Sequence, residues 1–375
     1  MAIIRQGLID DKKAIWDFIR AAYSDSIKYR IPDRWNWEYL DNPSADKSGN
    51  KLPIFIAIKD GQIVGQICAI VYQIKIGEEM HRIAGGVDLV TLPNCRGEGI
   101  GQRLIRAIAE HYKLYMAISM DPVTRRIYER LEYSKMEPIP IYRRLMKLDR
   151  ESTSRLLMAI TRNHLWLNRI AMIGRTVRLG NIISTVANFL LGLRDRLERH
   201  SKKECRSEIR EVERFGDEID QLWRATNHKF KVIVKRDQQY LNWRFSDSTQ
   251  LDYRKFVITR DGQTRGYIVL RMPQPVERND GIIVDLFAAP EDSETIEQLI
   301  RHAIDFFGKK VTMIECPATQ KEYQEVLSKS GFFKFGKVEP IFYCMGSSLR
   351  TKLEEWKTNW FLTKADHDWD QLHPL

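Results

Sequence analysis

The chain has 375 residues, a formal net charge of +10, 43% hydrophobic and 29% charged residues. That balance describes a globular protein long enough for two or three domains, and it excludes collagenous and disordered chains. Cys68, Cys95, Cys205, Cys316 and Cys344 are scattered without a CxxC or Cys/His spacing, which reads as reduced thiols in a cytoplasm rather than a disulfide framework or metal site. Met1 leads directly into strand-like Ala2-Ile3-Ile4-Arg5, so no signal peptide is expected, and no apolar run is long enough to span a bilayer. The basic charge invites nucleic acid, but neither half interleaves Lys/Arg with aromatics, so no such partner is expected.

In chain order, a strand is followed by one or two helices that carry Tyr23, Tyr29, Arg30, Arg34, Trp35 and Trp37. Those residues are candidates for an acceptor pocket, against core packing for Trp35 and Trp37. Next, Pro53–Lys59 and the run after Gln62 are joined by Asp60-Gly61, a strong hairpin signal. A strand through Val87-Asp88-Leu89-Val90-Thr91 precedes a loop. A helix then shows an apolar stripe at Ile100, Leu104, Ile108 and Tyr112. Tyr115–Ser119 reads as a strand, and the segment from Asp121 to Tyr133 as a helix and turn.

This pattern recurs. Trp37-Glu38-Tyr39 matches Trp243-Arg244-Phe245, Ile58-Lys59-Asp60-Gly61-Gln62 matches Thr259-Arg260-Asp261-Gly262-Gln263, and Val87-Asp88-Leu89 matches Val284-Asp285-Leu286. Leu104–Ile108 likewise matches Leu299–Ile304. Matches in the same order imply a long internal repeat. The expected fold class is α+β in layers: two copies, each a mixed, mostly antiparallel sheet flanked by helices. The expected domains are 1–150, a linker 151–204, 205–346 and a tail 347–375. From Ser152 to Arg194 there is no acidic residue, and Arg155, Arg162 and Arg169 fall on one helical face. Residues 155–194 read as part of a packed helical linker, or as a basic amphipathic segment making peripheral contact with an anionic membrane.

The loop Arg96-Gly97-Glu98-Gly99-Ile100-Gly101 joins a strand to a helix. The first turn of a helix leaves backbone N–H groups unpaired at a positive dipole end. Glycines let that backbone approach a ligand closely, so the junction suits a diphosphate. The spacing is not that of a dinucleotide fold, and no Gly-Lys-Ser/Thr follows for a nucleoside triphosphatase. With Thr91 and Leu92 before it, Gln102 after it, and Asp121 through Tyr128 to Tyr133 beyond the next strand, the segment resembles the Arg/Gln-x-x-Gly-x-Gly/Ala signature of the GNAT N-acetyltransferase superfamily. The resemblance covers residues 1–148 well and 206–346 as an echo of the fold. Asp121, Thr124 and Glu132 depart from the family's usual asparagine, alanine and glycine.

The resemblance implies that Thr91, Leu92, Arg96, Gly97, Glu98, Gly99, Ile100, Gly101, Gln102 and Asp121 hold acetyl-CoA as a co-substrate. It implies no metal, an amine as acceptor, and Tyr128 as the group facing the departing thiolate. An oxyanion donor is expected on the backbone near Leu92. Among Glu78, Glu79, His81 and Asp88, the pair Glu79 and His81 shares strand parity and supplies the candidates for the base. Asp88 recurs as Asp285 and reads as structural. The second copy has Pro290-Glu291-Asp292-Ser293 where the first has its glycines, so it is expected to be silent. The tail's Asp366-His367-Asp368-Trp369-Asp370 lacks the glycine and distal glutamate of a calcium loop, and its aromatics read as docked on the body. A terminal carboxylate at Leu375 is a further candidate base. The alternatives to an N-acetyltransferase acting on a small amine or amino sugar are an aminoacyl-tRNA-dependent Fem-type transferase, which needs no diphosphate loop, and a non-catalytic acyl-CoA-binding or membrane-peripheral protein.

Overall fold

The structure, a computed structural model, describes residues 1–23, 27–46, 49–147, 207–248, 250–275 and 277–371. The expected linker at 151–204, its basic face and Leu375 lie outside the described residues. The first half runs β1 (Ile3–Leu8), α1 (Lys12–Ala22), α2 (Asp33–Tyr39), β2 (Lys51–Lys59), β3 (Gln62–Ile76), β4 (Glu79–Thr91), α3 (Ile100–Tyr112), β5 (Leu114–Ala117), α4 (Pro122–Arg130), β6 (Ser134–Lys135) and β7 (Ile139–Leu145). The second half repeats that order with one strand added between its first two helices. It runs β8 (Ser207–Val212), α5 (Asp217–Thr226), β9 (Val232–Val234), α6 (Gln238–Phe245), β10 (Tyr253–Arg260), β11 (Gln263–Arg271), β12 (Asp280–Ala288), α7 (Ser293–Phe307), β13 (Met313–Pro317), α8 (Lys321–Lys329), β14 (Phe333–Val338) and β15 (Ile341–Cys344). A tail follows with α9 (Ser347–Glu355) and β16 (Trp360–Phe361).

Both hairpins form on the Asp-Gly pairs. Asp60 and Gly61 have φ of 52° and 76°, and Asp261 and Gly262 have 51° and 73°. Positive φ at both turn positions gives the twist that matches two right-twisted strands.

The mixed α+β architecture follows, but the sheets do not divide at residue 150. One has the order β1-β2-β3-β4-β5-β15-β6, and the other β14-β7-β13-β12-β11-β10-β8. The closing strands are exchanged. β15 lies antiparallel between β5 and β6, while β7 lies antiparallel between β13 and β14. Each half therefore completes the other's ladder.

Trp37 and Trp243 mark the same relation in side chains. Their rings stack at 5.0 Å, and each indole N–H donates to the other's carbonyl oxygen, at 2.7 and 3.0 Å. The contact is self-complementary, as at a two-fold interface.

Alternation along β3 serves two cores. Cys68, Ile70 and Tyr72 pack with α1 and with residues of the second half, whereas Ile67 and Ala69 pack beneath α3 with Ile100, Leu104 and Ile108. The predicted stripe of α3 is thus the face that seats it on the sheet.

Candidate active site

The site begins where β4 and β5 part. These parallel strands pair at Ala84↔Tyr115 and Gly85↔Met116 and no further. Beyond Gly85 the edge of β4 that faces β5 has no ladder partner among the described residues. The register of β4 on β3 also shifts between Gln66 and Cys68, and Asp88 adopts φ 51° within this bulge. The divergence opens a cleft of about 370 Å³. Gly86–Leu89 form one wall, and Ala117, Ser119, Met120, Asp121, Thr124 and Tyr128 form the other. The outer side is closed by His367, Asp368 and Trp369 of the tail.

The glycine loop lies beside this cleft. Gly99 is the N-cap of α3 with φ 71°, Gly97 has φ 86°, and no side chain caps the helix. The intrahelical ladder reaches back from Arg103 N–H to Gly99 O at 3.2 Å. The amides of Ile100, Gly101 and Gln102 precede that first bond, as helix geometry requires. A Cβ on Gly101 would meet Ile127 Cδ1 at 3.4 Å, so the start of α3 rests on α4, the helix that carries Thr124 and Tyr128. Glu98, the one acid in the loop, is neutralised by Lys59 Nζ at 2.8 Å.

Among the sequence-predicted residues, Asp121 and Tyr128 reach the cleft wall. Asp121 is the N-cap of α4, accepting from Val123 N and Thr124 N at 2.7 and 3.0 Å. Tyr128 is 2% exposed, and its hydroxyl meets that of Tyr115 at 2.5 Å. Burial pushes both phenols well up. Thr91 ends β4 opposite Gly65, and Leu92 donates its N–H to Val64 O at 2.9 Å. That bond occupies the donor expected near Leu92. Among the described residues, the β4 edge without a strand partner on the β5 side runs from Gly86 to Leu89 instead, with Gly86 O taken by His367.

Glu79 and His81 do not enter the cleft. They open β4 opposite Ile76 and Ile74, a strand-length from Asp88, and Glu79 faces His81 at 3.5 Å and Lys352 at 3.9 Å. Parity alone could not place them, because a strand this long runs past the site. Tyr23, Tyr29, Arg30, Arg34, Trp35 and Trp37 do not line the cleft either. The two arginines act one layer behind it. Arg30 pairs with Asp88, and Arg34 Nη2 donates to Asp368 at 3.2 Å.

Asp88 also accepts from the Tyr39 hydroxyl at 3.2 Å. The second copy repeats the arrangement. Arg236 pairs with Asp285 at 3.3 Å, and the Tyr267 hydroxyl donates to Asp285 at 2.8 Å. Arg30 and Arg236 precede Trp37 and Trp243 by the same interval. The same ion pair thus braces the bulged strand in both halves.

The tail was legible only as a docked aromatic segment. Its aspartates meet arginines. Asp366 pairs with Arg236 at 2.8 Å, Asp368 with Arg34 at 3.2 Å, and Asp370 with Arg244. His367 Nε2 donates to Gly86 O at 3.0 Å, while Nδ1 lies 2.5 Å from Asp368 Oδ1. No local feature of the sequence pairs these arginines with the tail, because the partners lie more than a hundred residues apart.

The equivalent place in the second copy is filled from within. Only about 10 Å³ remains there, lined by Ile283–Leu286, Cys316–Gln320, Tyr323 and the tail residues Phe361–Thr363. The Tyr323 hydroxyl bonds both the carbonyl and the amide of Ala288, at 2.7 and 2.9 Å. Asp292 caps α7 through Thr295 N at 3.2 Å, where α3 has bare Gly99. The anion site of that helix is taken by its own carboxylate. One tail therefore plugs the second cleft and walls the first.

Residues 50–135 match the acetyltransferase (GNAT) domain family. No curated protein sequence matches the chain. Among solved structures, a GCN5-related N-acetyltransferase from Anabaena variabilis matches with TM-score 0.59 at 10% identity, covering 93% of this chain and 74% of its own. A probable N-acyltransferase from Enterococcus faecalis matches with TM-score 0.56 at 12% identity, covering 92% and 71%. Saccharomyces cerevisiae N-myristoyltransferase with bound myristoyl-CoA matches with TM-score 0.54 at 11% identity, covering 91% and 78%. Residues 50–135 are thus similar to a GNAT acetyltransferase domain, and the chain shares the fold of these proteins.

Proposed function

We propose that the chain is a GNAT-type acyltransferase that moves an acetyl group from acetyl-CoA to the amine of a small molecule or amino sugar, using the first cleft alone. The carrying observation is the contrast between the two copies: an uncapped, glycine-lined helix start beside an open cleft in one, and a capped helix beside a filled cleft in the other.

On this reading the backbone of Arg96–Gly101, with Ile100 and Gln102, receives the diphosphate at the positive end of α3. Thr91, Leu92 and Asp121 border the path of the pantetheine arm. The neutral amine attacks the thioester carbonyl. A C–N bond forms, the C–S bond breaks, and the amine's proton passes to solvent. The unpaired β4 edge between Gly86 and Leu89 supplies donors to the tetrahedral oxyanion. Tyr128 is a neutral phenol at physiological pH, and burial raises its pKa further, so it faces the developing thiolate as a hydrogen-bond donor.

The test is thiol release from acetyl-CoA over a panel of amines, with mass spectrometry of the acylated product. Wild type is expected to acetylate at least one small amine or amino sugar. CoA binding without acylation of any amine, amino sugar or peptide would leave a binding protein and end the enzymatic reading.

A further inference from the structure

The deep end of the cleft is closed by a single close approach. Tyr115 and Ala117 point to the same face of β5, and Ala117 lines the cleft while Tyr115 sits one step deeper, fully buried. The hydroxyl end of its phenol occupies the space over Gly86. A methyl group at that glycine would overlap the Tyr115 hydroxyl and ring edge. The Tyr115 hydroxyl then bonds Tyr128, and the rings of Tyr115, Tyr128 and Tyr133 pack with centroids 5.5–6.2 Å apart. Gly85, next along the strand, is blocked on its side by Tyr72, whose Cε2 would stand 2.8 Å from a Cβ. Where β4 and β5 meet, the wedge therefore ends in an aromatic wall.

We infer that Tyr115, seated on Gly86, is the gate that sets acyl-chain length, admitting acetyl-sized donors and refusing long-chain acyl-CoA. The inference rests on the acyl-CoA reading above. An acyl group carried into the wedge points at its apex. Each added methylene must then displace a ring that is packed on every side. The same cleft must also admit the amine. Neither the bond formed nor the bond broken depends on chain length, so the gate acts on the choice of donor alone. Gly86 is the second half of the device, because any side chain there would evict the phenol.

The experiment uses the full chain and a donor series of acetyl-, butyryl-, octanoyl- and myristoyl-CoA. Affinity is measured by calorimetry and, with an accepted amine, turnover by thiol release. Wild type is expected to lose at least tenfold in kcat/KM, or in Kd where no amine is accepted, between acetyl- and octanoyl-CoA. Tyr115→Leu is expected to narrow that ratio at least tenfold while free CoA binds as before. Gly86→Ala in the Tyr115→Leu background is expected to restore part of the restriction, since the methyl refills the vacated space. Equal use of acetyl- and myristoyl-CoA by wild type overturns the gate even if every variant misfolds. So does a folded Tyr115→Leu with unchanged selectivity. If free CoA itself fails to bind, the acyl-transfer reading falls; if CoA binds and the length series is flat, only the gate does.

Discussion

Glu38 offers a sharp test of the electrostatics behind the cleft. It is 1% exposed on α2, and its Oε1 accepts from Arg34 Nε at 2.9 Å. Burial pushes its pKa up to about 7 from the ordinary 4.5, against the pull of Arg34 and with further push from Asp88 and Asp368. The folded protein thus keeps a proton that the unfolded chain has already released. For a folded-state value that is raised, stability is fully present below the unfolded value and is lost as pH climbs through the folded one. The window runs from about pH 4.5 to about pH 7. At roughly 1.4 kcal/mol per pH unit, the gap is worth about 3 kcal/mol. Glu38→Gln keeps the size and the neutral form, so it removes this titration with little change in packing. Urea midpoints of both proteins, taken between about pH 4 and pH 8, give the difference profile. Wild type is expected to lose about 3 kcal/mol relative to the variant across the window. Parallel profiles would refute the assignment of a raised pKa to this carboxyl.

Four other outcomes are expected. Tyr128→Phe lowers kcat by about 10²-fold with little effect on KM for acetyl-CoA, as steady-state thiol release will read; a change confined to KM would instead mark a binding residue. Gly99→Ala places a Cβ in open space but at φ 71°, so it costs the loop about 1 kcal/mol and weakens CoA binding severalfold in calorimetry, leaving the fold intact by circular dichroism. Asp370→Ala leaves Arg244, 2% exposed, without its carboxylate and strips Tyr253 of a partner at 2.5 Å; urea unfolding is expected to show a loss of about 3 kcal/mol or more. Residues 1–150 expressed alone lack β15, which lies between β5 and β6; they are expected to aggregate, and co-expression with 205–375 to restore a soluble complex on size exclusion. A well-folded, monomeric 1–150 fragment would contradict the reading of exchanged strands.

The sequence by itself determined what is local. The Asp60-Gly61 and Asp261-Gly262 turns, the stripe Ile100, Leu104 and Ile108, and the bare glycines before α3 are each set by neighbours within a few residues, where backbone sterics and helix periodicity act. The paired Trp37 and Trp243, and Asp88 and Asp285, announced two copies for the same reason. Tertiary structure decided what depends on distance across the chain. It exchanged β7 and β15, because an open sheet edge is satisfied by whichever strand is adjacent in space. It carried Glu79 and His81 away from the site by the length of β4. It brought His367, Asp368 and Trp369 to Gly86 and Arg34, because Arg34, buried on α2 and bonded to Glu38, takes a second carboxylate, and that one lies at the far end of the chain. And it set Tyr115 on Gly86, so that a glycine unremarkable in sequence fixes where the cleft ends.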